Sequence, residues 1–438
     1  MDSWRWFTDL SLVHGPLHQG LMAGSVVALL VLLSLRRTRT WWTWAVPVTV
    51  AVAATLVALV WLWLRVALPW PDALPMTVLA WIGVALLGIA LLVTGWRRQR
   101  WYVRVVSVVA AVLLLVGAAD GVDTVYGSYP TVATALQLAP HNAVAASSVL
   151  PLTPRPPAAT PAGPLSTTWH APADMPSHGA VFEVAVPAPR SGFAARPAWV
   201  YVPPAYLASN RPLLPVLLLV GGQPGTPRDW LNGGQLAQRM DAWAAAHGGL
   251  APVVVMPDAL GATTANPLCM DSALGKADTY LSQDVVTWAV DTLQADPDHT
   301  HWAVGGFSYG GTCALQLATA HPDIFPTFFD ASGQEKPTLG DDARTVKATF
   351  GGNQAAFDLV NPLHELAARS YPGSAGYLVV GMNDPEYRVQ AQHVAVAAKA
   401  AGMTITYAEL PGTHSWAVWG PGLTDALPML ATRMGLIS

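Results

Sequence analysis

The chemistry legible in this chain rests on a serine, an acid and a histidine, met in that order. The serine is Ser308, at the centre of Gly306-Phe307-Ser308-Tyr309-Gly310. The apolar run 301–305 leads into it, and the Ala/Leu-rich stretch 311–321 reads as a helix. A G-x-S-x-G between strand and helix is the context of a nucleophile elbow, in which the serine is presented on a sharp turn. Small flanking residues let the backbone bend that far and stay clear of a substrate. The helix that begins there would aim its N-terminal N–H groups and its dipole at the site.

A serine hydroxyl needs a base to take its proton, and the base needs an orienting acid. The run 377–381 ends in Gly381-Met382-Asn383-Asp384-Pro385-Glu386. Asp384 is the preferred acid because it lies nearest the strand end. Glu386 competes with it but reads as the start of the next helix. Two histidines follow. His393 falls within the helical stretch 387–401 and reads as a surface or packed residue. His414 lies in Leu410-Pro411-Gly412-Thr413-His414-Ser415-Trp416, a turn after the last strand, from which it can reach back to Ser308. An oxyanion hole needs two N–H donors. One is expected from the Tyr309 backbone, the other from Gly222 or Gln223 in Gly221-Gly222-Gln223-Pro224-Gly225, the loop after the run 213–220.

These residues need a sheet to hold them. Strand-like runs occur at 181–186, 198–202, 213–220, 253–257, 301–305, 325–329, 377–381 and 404–410. Helical stretches read at 230–246, 280–293, 311–321, 361–369, 387–401 and 416–430. Early strands without helices, followed by alternation, predict an α/β fold with a mostly parallel sheet covered on both faces. With Ser, Asp and His in that order, this is the layout of an α/β-hydrolase.

Charged residues are 11% of the chain and mean hydropathy is +0.36. A soluble domain carries about 25% charge, so part of this chain belongs in a membrane. Four apolar runs of spanning character lie at 20–35, 42–64, 76–95 and 102–119, the first long enough only if 17–21 joins it. No acid or histidine falls inside the runs as delimited, which reads as an anchor. Arg36, Arg37 and Arg39 follow the first run, and Arg97, Arg98, Arg100 and Arg104 separate the third from the fourth. By the positive-inside rule both clusters face the cytoplasm. The expectation is a four-pass plasma-membrane protein with both termini and the catalytic domain outside.

From 120 to 178 the composition turns to Pro, Ala, Thr and Ser, with Pro151, Pro154, Pro156, Pro157, Pro161 and Pro164 clustered. Such a stretch reads as an extended tether. The organisation expected is therefore a membrane domain over 1–119, a linker over 120–178 and a hydrolase domain over 179–438. A net charge of −4 and a pI near 6.3 give no reason to expect nucleic acid. No HExxH or CxxC occurs, so neither metal nor cofactor is expected. Cys269 and Cys313 are the two cysteines. An oxidising compartment permits a disulfide that would fix the active-site loop, with two buried free thiols as the alternative.

Gly412-Thr413-His414-Ser415-Trp416 with Trp419 resembles the histidine motif of the mycobacterial mycolyltransferases and their esterase relatives, the feruloyl esterases and esterase D. Thr279-Tyr280-Leu281-Ser282-Gln283-Asp284-Val285, followed by the Ser308 pentapeptide, is similar to that family in order and spacing. Gly381-Met382-Asn383-Asp384 resembles the acid motif of the feruloyl esterase branch. The resemblance runs from about Phe182 to the C-terminus. It implies an α/β-hydrolase acting on acyl esters with Ser308, Asp384 and His414 as triad. Composition rich in Ala, Arg and Trp suits an actinobacterial source. The function expected is a membrane-anchored serine esterase or acyltransferase working on acyl esters of lipids or cell-envelope glycans. Two alternatives are a non-catalytic envelope scaffold on the same fold and a membrane lipid-handling protein with an accessory hydrolase.

Overall fold

The computed structural model describes the chain except residues 1–3, 35, 37, 68–73, 97–98, 141 and 151–162. It divides into two compact units, Met1–Leu138 and Ala139–Ser438.

The first unit holds, among the described residues, four helices long and apolar enough to cross a membrane. They are α1 (Gly15–Ser34), α2 (Val46–Ala67), α3 (Met76–Gly95) and α4 (Trp101–Tyr126). Residues 17–21 do join the first span. Helices α1 and α4 meet through small residues: a Cβ at Gly117 would run into the Ser25 hydroxyl, which itself donates to the Leu21 carbonyl. Helices α1 and α4 outrun their apolar runs far enough to take in an acid or a histidine. Helix α4 continues to a left-handed cap at Gly127 (φ 69°) and so takes in Asp120 and Asp123, while α1 starts early enough to take in His18. The expectation that no acid or histidine lies within the spans is therefore corrected. The runs were cut at the first polar residue, whereas the backbone stays helical until a glycine lets it turn. His18 Nδ1 lies 2.7 Å from Asp120 Oδ2. Of the arginines used for orientation, Arg37, Arg97 and Arg98 lie outside the described residues.

Residues 120–178 divide between the units. Residues 120–126 complete α4, and a short helix forms at Val132–Ala135. Further on, the Val144 N–H donates to the Val181 carbonyl and the Val181 N–H to that of Asn142. Leu165 and Ser166 donate to the carbonyls of Gly435 and Leu436. The prolines from Pro151 to Pro161 lie outside the described residues.

The second unit is built on an eight-stranded sheet. Its strands are β1 (Ala180–Val184), β2 (Ala198–Val202), β3 (Val216–Val220), β4 (Val253–Met256), β5 (Ala303–Phe307), β6 (Thr327–Ala331), β7 (Ala375–Gly381) and β8 (Thr404–Leu410). They lie in the order β1-β2-β4-β3-β5-β6-β7-β8, with β2 antiparallel to both its neighbours and the rest parallel. Strands β3 to β6 are buried throughout, which is why they read as continuous apolar runs. This is an α/β-hydrolase fold, and helices cover the sheet on both faces as such sheets require.

Three strands begin later than their apolar runs, β3 by three residues and β5 and β6 by two. The Asp298 carboxylate caps a 3₁₀ turn at His299–His301, and Phe325 N–H still bonds back to the His321 carbonyl. Strand β5 thus ends at Phe307, immediately before Ser308. The helix expected over 230–246 is broken into Asp229–Asn232 and Leu236–Ala246, because Gly233 and Gly234 are pressed under the Trp416 indole. Helices at Asp342–Phe350 and Gln354–Asp358 went unread. They pack Val346 and Phe357 on Leu268 and Met270, a small apolar cluster apart from the main core.

Candidate active site

Ser308 joins β5 to α5 (Tyr309–Ala320) with φ 54° and ψ −122°, a left-handed conformation that costs a non-glycine residue energy. Its neighbours explain how the turn is held. The Ser308 N–H donates to the Ala331 carbonyl on β6 at 2.8 Å. A side chain at Gly306 would strike the Gly310 backbone, and one at Gly310 would strike the Val220 and Gly221 carbonyls. The two glycines of the pentapeptide are thus demanded by close backbone approach.

Asp384 leaves the end of β7 and precedes α6 (Pro385–Ala400), with its side chain free of any capping bond to that helix. His414 lies in the turn between β8 and α7 (Trp416–Arg433). The two loops are tied: Met382 N–H donates to the Leu410 carbonyl at 2.8 Å and Asn383 N–H to that of Gly412 at 2.9 Å. His414 Nδ1 stands 2.9 Å from Asp384 Oδ2, and its Nε2 stands 2.9 Å from Ser308 Oγ. Asp384 and Ser308 are buried, while the imidazole keeps a fifth of its surface open. The carboxylate on the imidazole belongs to Asp384. Glu386 lies in the first turn of α6, and His393, further along that helix, bonds Glu335 at 2.9 Å and is largely exposed.

At the start of α5, the Tyr309 N–H makes no backbone hydrogen bond among the described residues, and neither does that of Gln223. Gly222 lies against the Phe307 ring, leaving no room for a side chain. The Gln223 amide donates to the Thr264 carbonyl at 3.1 Å and accepts from Asn266 Nδ2 at 3.1 Å. The Tyr309 phenol accepts from Cys269 N–H at 2.9 Å and donates to the Ala259 carbonyl at 3.2 Å; burial pushes its pKa up. Cys269 and Cys313 are joined as a disulfide, linking this loop to α5.

Sequence reasoning missed two supports. Arg196 holds Asp258 through Nε at 2.9 Å and Nη2 at 2.7 Å, and also donates to Thr263 Oγ1 and the Gly225 carbonyl at 3.0 Å. Asp258, which is buried, further accepts from Leu260 and Gly261 N–H. One bidentate pair thereby fixes both sides of the Gln223 loop. The second is Asp330, buried beneath the start of α5 with Gly311 and Gly333 packed on its carboxyl and Gly333 N–H donating at 2.7 Å. Burial pushes its pKa up to about 7. No local signal marks either residue, since their partners are remote in sequence or appear only with the strand ends in register.

Fold and geometry together define an α/β-hydrolase with a Ser–His–Asp hydrogen-bond chain at the C-terminal edge of its sheet. The Esterase family model matches residues 195–430. An uncharacterized protein of Corynebacterium glutamicum is 34% identical over 378 residues, covering 84% of each chain. That span is longer than the whole second unit, so the likeness reaches into the four long apolar helices. The chain belongs to this esterase family. Among solved structures, a ferulic acid esterase aligns with 59% of this chain and 99% of its own, at TM-score 0.51 and 19% identity. An S-formylglutathione hydrolase from Agrobacterium tumefaciens aligns with 60% and 98%, at TM-score 0.49 and 18% identity. The first of these likenesses shows the fold.

Proposed function

We propose that this protein is a membrane-anchored serine esterase or acyltransferase whose nucleophile is Ser308, with His414 as base and Asp384 as the orienting acid. The observation that carries the reading is the unbroken pair of 2.9 Å contacts from Asp384 through His414 to Ser308. His414 Nε2 takes the hydroxyl proton as Ser308 Oγ attacks the ester carbonyl carbon. The tetrahedral oxyanion accepts hydrogen bonds from the Tyr309 N–H and from Gly222 or Gln223. Collapse breaks the bond to the leaving alcohol, which takes the proton from His414 and leaves an acyl-enzyme. Water or a second alcohol, deprotonated by His414, then attacks the acyl carbonyl and releases Ser308.

Acyl esters of lipids or cell-envelope glycans suit an enzyme tethered at a membrane surface. The arrangement proposed is four-pass, with both termini and residues 179–438 outside and the proline-rich part of 120–178 as spacer. Arg36 and Arg39, between α1 and α2, and Arg100 and Arg104, at the start of α4, support that orientation. The disulfide supports an oxidising compartment for the second unit. A fluorophosphonate probe tests the nucleophile. Applied to the full-length protein it should label one site, mapped by mass spectrometry to Ser308. Labelling that persists in Ser308→Ala would overturn the assignment.

A further inference from the structure

His414 sits in a slot between two aromatic rings. Tyr387 stacks on the imidazole, with ring centroids 4.0 Å apart and planes 31° apart. Trp419, in the first turn of α7, meets it edge to face at 4.9 Å and 85°. Both rings are buried, at 4% and 5% exposure, so neither is a surface flap. Tyr387 lies three residues after Asp384, in the first turn of α6, and Pro385 sets the backbone at the start of that turn. The turn that delivers the acid to Nδ1 also delivers an aromatic face to the same ring.

In the proposed reaction His414 alternates between imidazole and imidazolium. A cation over an aromatic face within about 6 Å of its centroid is attracted by the ring quadrupole, and more strongly when water is excluded. The neutral imidazole gains little from this, so the contact favours the state made as Ser308 attacks. Other charges nearby are already committed. Asp384 bonds Nδ1, Arg388 of α6 pairs with Glu409 of β8 at 2.7 Å, and His393 pairs with Glu335. Glu386 shares the first turn of α6, and the first turn of α7 carries no acid.

We propose that Tyr387 is a positioning residue that stabilises the His414 imidazolium and keeps the ring aligned on Ser308 and Asp384. The proposal rests on the triad reading. It is tested with full-length protein in detergent, measuring kcat and KM for p-nitrophenyl acetate from pH 5 to 9 in wild type, Tyr387→Phe, Tyr387→Leu and Tyr387→Met. Phe keeps the face and should stay within about threefold of wild type. Leu and Met lose it. Each should lower kcat about tenfold with KM within about twofold, and shift the acid limb of the profile down by about half to one pH unit. An unmoved acid limb in both Leu and Met overturns the proposal, as does a loss confined to KM. Equal damage in Phe assigns the effect to the hydroxyl and likewise overturns it. Fluorophosphonate labelling of Ser308→Ala separates the failures: labelling retained there sinks the triad, whereas labelling lost there with the limb unmoved sinks only Tyr387.

Discussion

Each compact unit contains a histidine held at Nδ1 by a buried aspartate, as His301 also is by Asp296, and the pairs at His18 and His414 have almost the same geometry. In the first unit His18 and Asp120 are 2.7 Å apart, with the carboxylate 3% exposed; in the second His414 and Asp384 are 2.9 Å apart, with the carboxylate 8% exposed. They differ in what stands at the other ring nitrogen. His414 Nε2 meets Ser308 Oγ on a strained turn. Among the described residues no hydroxyl is hydrogen-bonded to His18 Nε2. An Asp–His pair is therefore half a catalytic device. Alone it ties one helix to another, and it becomes chemistry only where an elbow brings a nucleophile and N–H donors to the same place.

The comparison is broken most easily at the two acids. Asp384→Asn should lower turnover of a short-chain p-nitrophenyl ester by on the order of 10⁴, because the imidazole loses its tautomer and orientation. Asp120→Asn should leave turnover within about twofold while lowering the stability of the first unit by about 1–2 kcal/mol. A crippling Asp120→Asn would mean that the two pairs are not separate devices. If Glu386→Gln proved crippling while Asp384→Asn stayed active, the acid would have to be reassigned.

A further buried aspartate sharpens the contrast, because Asp330 has no imidazole. Its folded pKa of about 7 stands above the ordinary aspartate value of 3.8. Between about pH 4 and pH 7 the folded chain therefore holds a proton that the unfolded chain has released. Stability from this group is full at low pH and falls as pH rises through that window, by on the order of 4 kcal/mol in all. Asp330→Asn should flatten this slope in chemical unfolding and be the more stable form at pH 8. A slope unchanged in the variant would show that Asp330 is ionised when folded.

Asp258 takes the remaining course and pairs with a guanidinium. Arg196→Met should lower kcat by on the order of 10² with KM little changed, because the Gln223 loop loses its fixed position. A rise in KM at constant kcat would instead make Arg196 part of the substrate wall.

The sequence discloses these features unequally. All eight strands could be read, the four buried throughout, β3 to β6, as continuous apolar runs. Ser308, Asp384 and His414, which the fold brings into hydrogen-bond contact, could be singled out because each follows a strand end. Strand starts are less legible: β3 begins three residues after its apolar run, β7 two residues before, and β5 and β6 two residues after, where an aspartate-capped turn and a helix end occupy apolar-looking sequence. Arg196 is 62 residues from Asp258, and Tyr387 reads as an ordinary helix start. Such partners emerge only when the loops are brought together. His18 and Asp120 were lost for another reason: hydropathy falls before the helix ends.

The most direct test of the central claim, that Ser308 and His414 act as one unit, is the double mutant. Ser308→Ala and His414→Ala should each remove nearly all ester turnover, and the double variant should be scarcely worse than either, since groups that act together do not contribute additively. Losses that multiply, or a Ser308→Ala enzyme that keeps full activity, would contradict the account.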